Sequence, residues 1–82
     1  MLTVEQIKMA RSALGWSIQK LSEESLVSPR TIKRIESEGL IEKVTPANLK
    51  HLRDTLEEAG IEFIGSANEG PGVRLWKQPY SG

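Results

Sequence analysis

Three cations, Arg30, Lys33 and Arg34, fall within five residues of this 82-residue chain and directly follow Ser28-Pro29. The planar fork of arginine matches guanine O6 and N7, whereas lysine suits phosphate oxygens. Gathered on one helix face, they could meet a polyanion, although a solvated helix face carries charge in the same way. Pro29 has no N–H to donate, but its ring can touch a thymine methyl. Elsewhere the reactive chemistry is sparse. His51 has no partner at metal-ligand spacing and reads as a surface or flank histidine. Glu57, Glu58 and Glu62 lack a paired base and read as a solvated face rather than an acid–base site. Gly65 and Gly70-Pro71-Gly72 do not open a helix with Lys-Ser/Thr behind them, as a phosphate-binding loop requires. No cofactor, metal or small-molecule ligand is indicated, and an enzyme is not expected.

Composition narrows the class further. Without cysteine no disulfide can form, and a single histidine nearly excludes a zinc module. Eleven basic residues balance eleven acidic ones, but unevenly. Residues 1–35 hold six basic and three acidic side chains, and residues 36–70 hold three basic and eight acidic ones. The N-terminus has no positive-then-apolar signal pattern, and no run approaches a membrane span. The expectation is one small, soluble, cytoplasmic domain with a thin core.

Helix signals fix how the cluster is positioned. Thr3 and Gln6 make a capping box, so a first helix starts there and ends at Gly15, with Val4, Ile7 and Leu14 along one stripe and Ala10 and Ala13 beside it. Ser17 caps a second short helix whose Ile18 and Leu21 face inward. Ser28-Pro29 places a capping oxygen before a proline at the first helical position. Val27 and Ile32 can staple that third helix, which fades by Gly39. Thr45-Pro46 repeats the device before Leu49, Leu52, Leu56 and Ala59, and Gly60 supplies the stop. Beyond it, Ile61-Glu62-Phe63-Ile64 and Val73-Arg74-Leu75-Trp76 are β-prone and flank a Gly/Pro/Asn-rich connection. Ile61 and Phe63 are expected to face inward with Val73 and Leu75, leaving Ile64 and Trp76 on the other face. An isolated hairpin is marginal in water, so this one must lean on the helices or on a second subunit.

The stretch Ser25-Leu26-Val27 is too short for anything but a sharp turn. Helices two and three therefore cross steeply, which is helix-turn-helix geometry. With Ile32 and Ile35 inward, Arg30, Lys33, Arg34 and Ser37 fall outward, on the face that would enter a major groove.

The run Leu14-Gly15-Trp16-Ser17…Leu21…Val27-Ser28-Pro29-Arg30-Thr31-Ile32-Lys33-Arg34-Ile35-Glu36 resembles the Xre/Cro family of phage-repressor-like helix-turn-helix regulators. The tail from Leu56 to Ile64, with Gly70-Pro71-Gly72-Val73-Arg74-Leu75, is similar to the C-terminus of a small bacterial subset of that family. The resemblance implies base reading by Arg30 and Arg34, with Pro29 and Lys33 beside them. It implies phosphate contacts from Ser17, Gln19, Ser28, Thr31 and Lys43, and a partly buried ion pair between Arg11 and Glu36. Three positions depart from the family pattern. Ile18 stands where a phosphate-clamping glutamine is usual, with Gln19 next to it, and Ser22 replaces a small alanine. Leu26 replaces the turn glycine; a left-handed conformation would strain it by roughly 1 kcal/mol or more, so a different turn is expected there.

The resulting expectation is a mainly α fold: a four- to five-helix phage-repressor-like helix-turn-helix domain over residues 1–60, with a C-terminal β-hairpin or strand extension over 61–82. Its function would be sequence-specific binding of double-stranded DNA at a palindromic operator, as a homodimeric transcriptional regulator of repressor type. Ile64, Val73, Leu75 and Trp76 are the candidate dimer contacts, and Tyr80 is either a further interface anchor or part of a disordered tail. The alternative is a protein-interaction or antitoxin-like module on the same fold, with a protein partner and secondary DNA binding.

Overall fold

The structure, a computed structural model, describes residues 2–76. Its order is α1 (Val4–Leu14), α2 (Ile18–Ser25), α3 (Pro29–Glu38), a 3-10 turn (Ile41–Lys43), α4 (Pro46–Glu58), β1 (Ile61–Ile64) and β2 (Gly72–Leu75). Tyr80 lies outside the described residues. Among the described residues no helix is long and apolar enough to cross a membrane.

Each α-helix starts at a side-chain cap. Thr3 and Gln6 close a reciprocal box at α1: the Gln6 N–H donates to Thr3 Oγ1 (3.1 Å), and the Thr3 N–H donates to Gln6 Oε1 (3.0 Å). Ser17, Ser28 and Thr45 cap α2, α3 and α4, and proline occupies the first turn of α3 and of α4. Such caps satisfy N–H groups that the helix itself leaves unpaired, each contributing about 1 kcal/mol.

The apolar faces that these helices present converge on one core. Ile7, Ala10, Leu21, Ile32, Ile35, Leu52 and Leu56 are completely buried, joined by Val27, Ile61 and Leu2. Helix α2 packs on α3 and α4, while α1 packs on α3 and on the hairpin. The side chains of Val4, Leu14, Trp16 and Ile18 lie partly buried around this core. Truncating one of its fully buried isoleucines or leucines to alanine should cost about 2–5 kcal/mol.

The hairpin is antiparallel, with Ile61 opposite Leu75, Phe63 opposite Val73 and Ile64 opposite Gly72. Gly65 at its turn has φ +76°, and a Cβ there would meet the Gly70 carbonyl oxygen at 2.5 Å, so only glycine fits. Two expectations for the hairpin are corrected. Leu75 shares a face with Ile61 but is 44% exposed, because Ile61 itself occupies the core at that end. Ile64 is half-buried rather than laid open, since the loop end of the hairpin is drawn onto α1 by Gln6. The buried Gln6 amide donates to the carbonyls of Ile64 (3.0 Å) and Gly72 (3.1 Å). Thus the side chain that boxes the start of α1 also holds both strands.

The turn between α2 and α3 also keeps the left-handed conformation despite its residue. Leu26 has φ 63° and is 85% exposed, and its N–H donates to the Ser22 carbonyl at 2.9 Å. Burial of Val27 on one side and Ser25 on the other dictates the backbone path between them. Packing therefore overrides the local preference of leucine, at a cost of about 1–2 kcal/mol.

Candidate nucleic-acid interface

Helix α3 is oriented by what it buries. Val27, just before its cap, and Ile32, one turn inside, are both buried, which closes a hydrophobic staple across the Ser28 cap. Ile35 follows Ile32 on the inner face, fully buried. The opposite face presents Pro29, Arg30, Lys33, Arg34 and Ser37, all exposed. Ser37 turns its hydroxyl back onto the Lys33 carbonyl (2.7 Å), leaving the two arginines and the lysine as the donors that project from this face.

The structure divides the candidate residues between the two flanks of α3. On one flank, Pro29, Arg30 and Lys33 share a groove of about 460 Å³ with Ile18 and Gln19 at the start of α2. On the other, Thr31 and Arg34 share a groove of about 240 Å³ with Lys43, on the 3-10 turn, and with Asn48 in α4. Arg34 leans toward Glu38 at 3.9 Å, with both side chains about half exposed. Among the described residues, Arg30 and Lys33 make no ion pair, so their charge faces water.

Several candidate phosphate ligands already serve the fold. Ser17 Oγ accepts from the Lys20 N–H at 2.9 Å, and Ser28 Oγ accepts from the Thr31 N–H at 3.1 Å. The Ser28 hydroxyl donates to Thr31 Oγ1 (3.0 Å), which leaves the Thr31 hydroxyl hydrogen to give elsewhere. Gln19 Nε2 donates to Glu23 at 3.2 Å on the exposed side of α2, with a second amide hydrogen in hand.

Behind this face, α3 is tied to α1. Arg11 Nε donates to Glu36 Oε2 (2.8 Å) and Nη2 to Oε1 (2.7 Å), a bidentate pair in which Glu36 is only 9% exposed. The remaining nitrogen, Nη1, donates to the Trp16 carbonyl at 2.8 Å. The hydrogen bond to Glu36 raises the guanidinium pKa above its ordinary value; burial opposes this, and the Glu36 charge reinforces it. A raised folded pKa contributes stability below the unfolded value and loses it only as pH rises through the folded one, so alkali does not release this guanidinium before an ordinary arginine. Trp16 packs partly buried between helices, with Lys20 Nζ 5.7 Å from its ring centre.

On the hairpin, Leu75 and Trp76 are exposed (44% and 56%), whereas Ile64 and Val73 are half-buried. Trp76 Nε1 and Arg74 Nη1 both donate to Glu62 Oε1, at 2.9 and 3.0 Å, and the Arg74 guanidinium lies 5.5 Å from the Trp76 ring centre. That cluster fixes the indole on the outer face of the hairpin.

His51 is exposed, and Glu57 is paired with Arg53 at 3.1 Å. Among the described residues no three metal-ligating side chains come together. Sequence reasoning missed the reach of Gln6 to the hairpin and the use of the Trp16 carbonyl by Arg11. A polar Gln6 beside Ile7 on the inner stripe of the first helix was the available signal for the former.

Among known protein families, the model Helix-turn-helix (HTH_3) matches residues 7–58. No curated protein and no solved structure matches the chain.

Proposed function

The chain belongs to the Helix-turn-helix family (HTH_3) of Xre/Cro type, a DNA-binding regulatory family, and from that premise we propose that it is a repressor-type regulator that binds a palindromic operator as a homodimer. The observation that carries this reading is the exposed, outward set of Arg30, Lys33 and Arg34 opposite the buried Ile32 and Ile35. In a major groove, Arg30 and Arg34 read base edges, with Pro29 and Lys33 beside them. Ser17, Gln19, Ser28, Thr31 and Lys43 set the register on phosphates. A single ten-residue recognition helix reads few bases, so two copies on half-sites one helical turn apart supply the footprint. Ile64, Val73, Leu75 and Trp76 form the dimer contact, with Leu75 and Trp76 its exposed members. Such a regulator works in the cytoplasm, where operator DNA is accessible.

A second reading, an antitoxin-like protein-interaction module, draws support from Leu26, a strained and 85% exposed apolar residue. Selection of binding sites from random duplex DNA at two salt concentrations separates the two. A palindromic motif that disappears with Arg30→Ala/Arg34→Ala supports the operator-binding dimer. A folded dimer that enriches no sequence overturns it in favour of the interaction module.

A further inference from the structure

The groove on the Arg30 flank of α3 has an unusual floor for a surface that meets a polyanion. Of its five lining residues, two are apolar: Ile18, the first residue of α2, and Pro29, the first residue of α3. Arg30, Lys33 and the Gln19 amide complete it, and no carboxylate lines it. Ile18 is half-buried and packs its inner side on the core, which fixes the wall that it offers to the groove. Pro29 is exposed and rigid, with no N–H to give. Neither residue can bond a phosphate through its side chain. Apolar surface held next to two cations, in the part of α3 that approaches bases, calls for an apolar group on the DNA itself. The major-groove edge offers just one, the 5-methyl of thymine.

We infer that Ile18 and Pro29 together form a notch for a thymine methyl, beside the guanine read by Arg30, so that Ile18 is a specificity-determining residue. The inference rests on the DNA-binding reading above and names a base within its half-site. Charge complementarity brings the duplex to this flank, since Arg30 and Lys33 face water without ion pairs among the described residues. The two apolar walls then distinguish T·A from the other pairs by contact alone.

Deoxyuridine tests this directly, because it keeps every hydrogen-bonding group of thymidine and lacks only the methyl. With the site selected by the full chain, each thymine of the half-site is replaced in turn by deoxyuridine and the Kd is measured by fluorescence anisotropy. Wild type should lose about three- to fivefold at one position, the worth of one buried methyl. Ile18→Ala and Pro29→Ala should bind thymine and uracil equally at that position. Circular dichroism monitors their folding, and exposed Pro29 supplies the variant least able to disturb the core. Specific binding with no uracil-sensitive position overturns the notch and leaves the DNA-binding reading intact. A sensitive position whose penalty survives in both variants also overturns it, since the methyl is then read elsewhere. If no sequence is selected at all, the DNA-binding reading falls and the notch with it.

Discussion

Arg11 and Glu36 stand 25 residues apart in the chain, yet the guanidinium of one grips the carboxylate of the other through two bonds of 2.8 and 2.7 Å. The same guanidinium donates to the Trp16 carbonyl, so a single side chain ties the end of α1, the approach to α2 and the last turn of α3. Position and tilt of the recognition helix thus depend on a contact well behind its outer face. Arg11→Ala leaves the 9%-exposed Glu36 charge and a backbone carbonyl without a donor. The expected loss is about 2 kcal/mol, less than for a fully buried pair because Arg11 retains some exposure. Urea denaturation should show it as a lower midpoint with an unchanged slope.

Leu26 points the other way. Its backbone sits at φ 63° and its side chain reaches solvent, so leucine contributes strain there and little packing. Leu26→Gly should raise stability by about 0.5–1 kcal/mol, the relief of strain outweighing the extra freedom of glycine in the unfolded chain. Thermal unfolding would register a rise of several degrees. A lower Tm would mean that the freedom glycine adds to the unfolded chain outweighs the strain it relieves.

What the sequence disclosed and what it hid separate along physical lines. The starts of α1, α3 and α4 were legible because caps and first-turn prolines are local devices, complete within four residues at Thr3–Gln6, Ser28–Pro29 and Thr45–Pro46. The outward face of α3 followed from Ile32 and Ile35 by helical spacing alone. The left-handed turn at Leu26 was not legible, since the leucine's own preference argues against it and the path is dictated by burial of Ser25 and Val27. Nor could spacing show that Gln6 reaches residues 58 and 66 positions away. The pairing of Arg11 with Glu36 came from family resemblance, and no local rule joins them. Leu75 looked inward by strand alternation, but alternation fixes a face and not how far the core extends beneath it.

Gln6 offers the sharpest test of hairpin attachment. Its amide is buried and fully used, accepting from Thr3 and donating to one carbonyl on each strand. Gln6→Leu keeps much of the volume but leaves two carbonyls without their donor and opens the capping box. A cost of about 2–3 kcal/mol is expected. Hydrogen exchange should be faster at the hairpin amides than in α2 and α3, and uniform acceleration across the molecule would refute a local latch.

Arg34 and Lys43 line the same groove beside α3, yet different consequences are expected from losing each. Arg34 is on the recognition helix, with its fork drawn toward Glu38 at 3.9 Å, a loose contact that a guanine can displace. Lys43 stands on the 3-10 turn beyond the helix, and the proposed complex assigns it to a phosphate rather than to a base. Arg34→Ala should therefore cost about 1–3 kcal/mol on the selected site and relax the preference at one base pair, with little effect on random DNA. Lys43→Ala should weaken both DNAs alike and lower the slope of log K against log salt by about 1. Titrations of each variant on both DNAs at several salt concentrations distinguish these roles. Equal loss on both DNAs for Arg34→Ala would remove it from base reading and leave it a phosphate contact like Lys43.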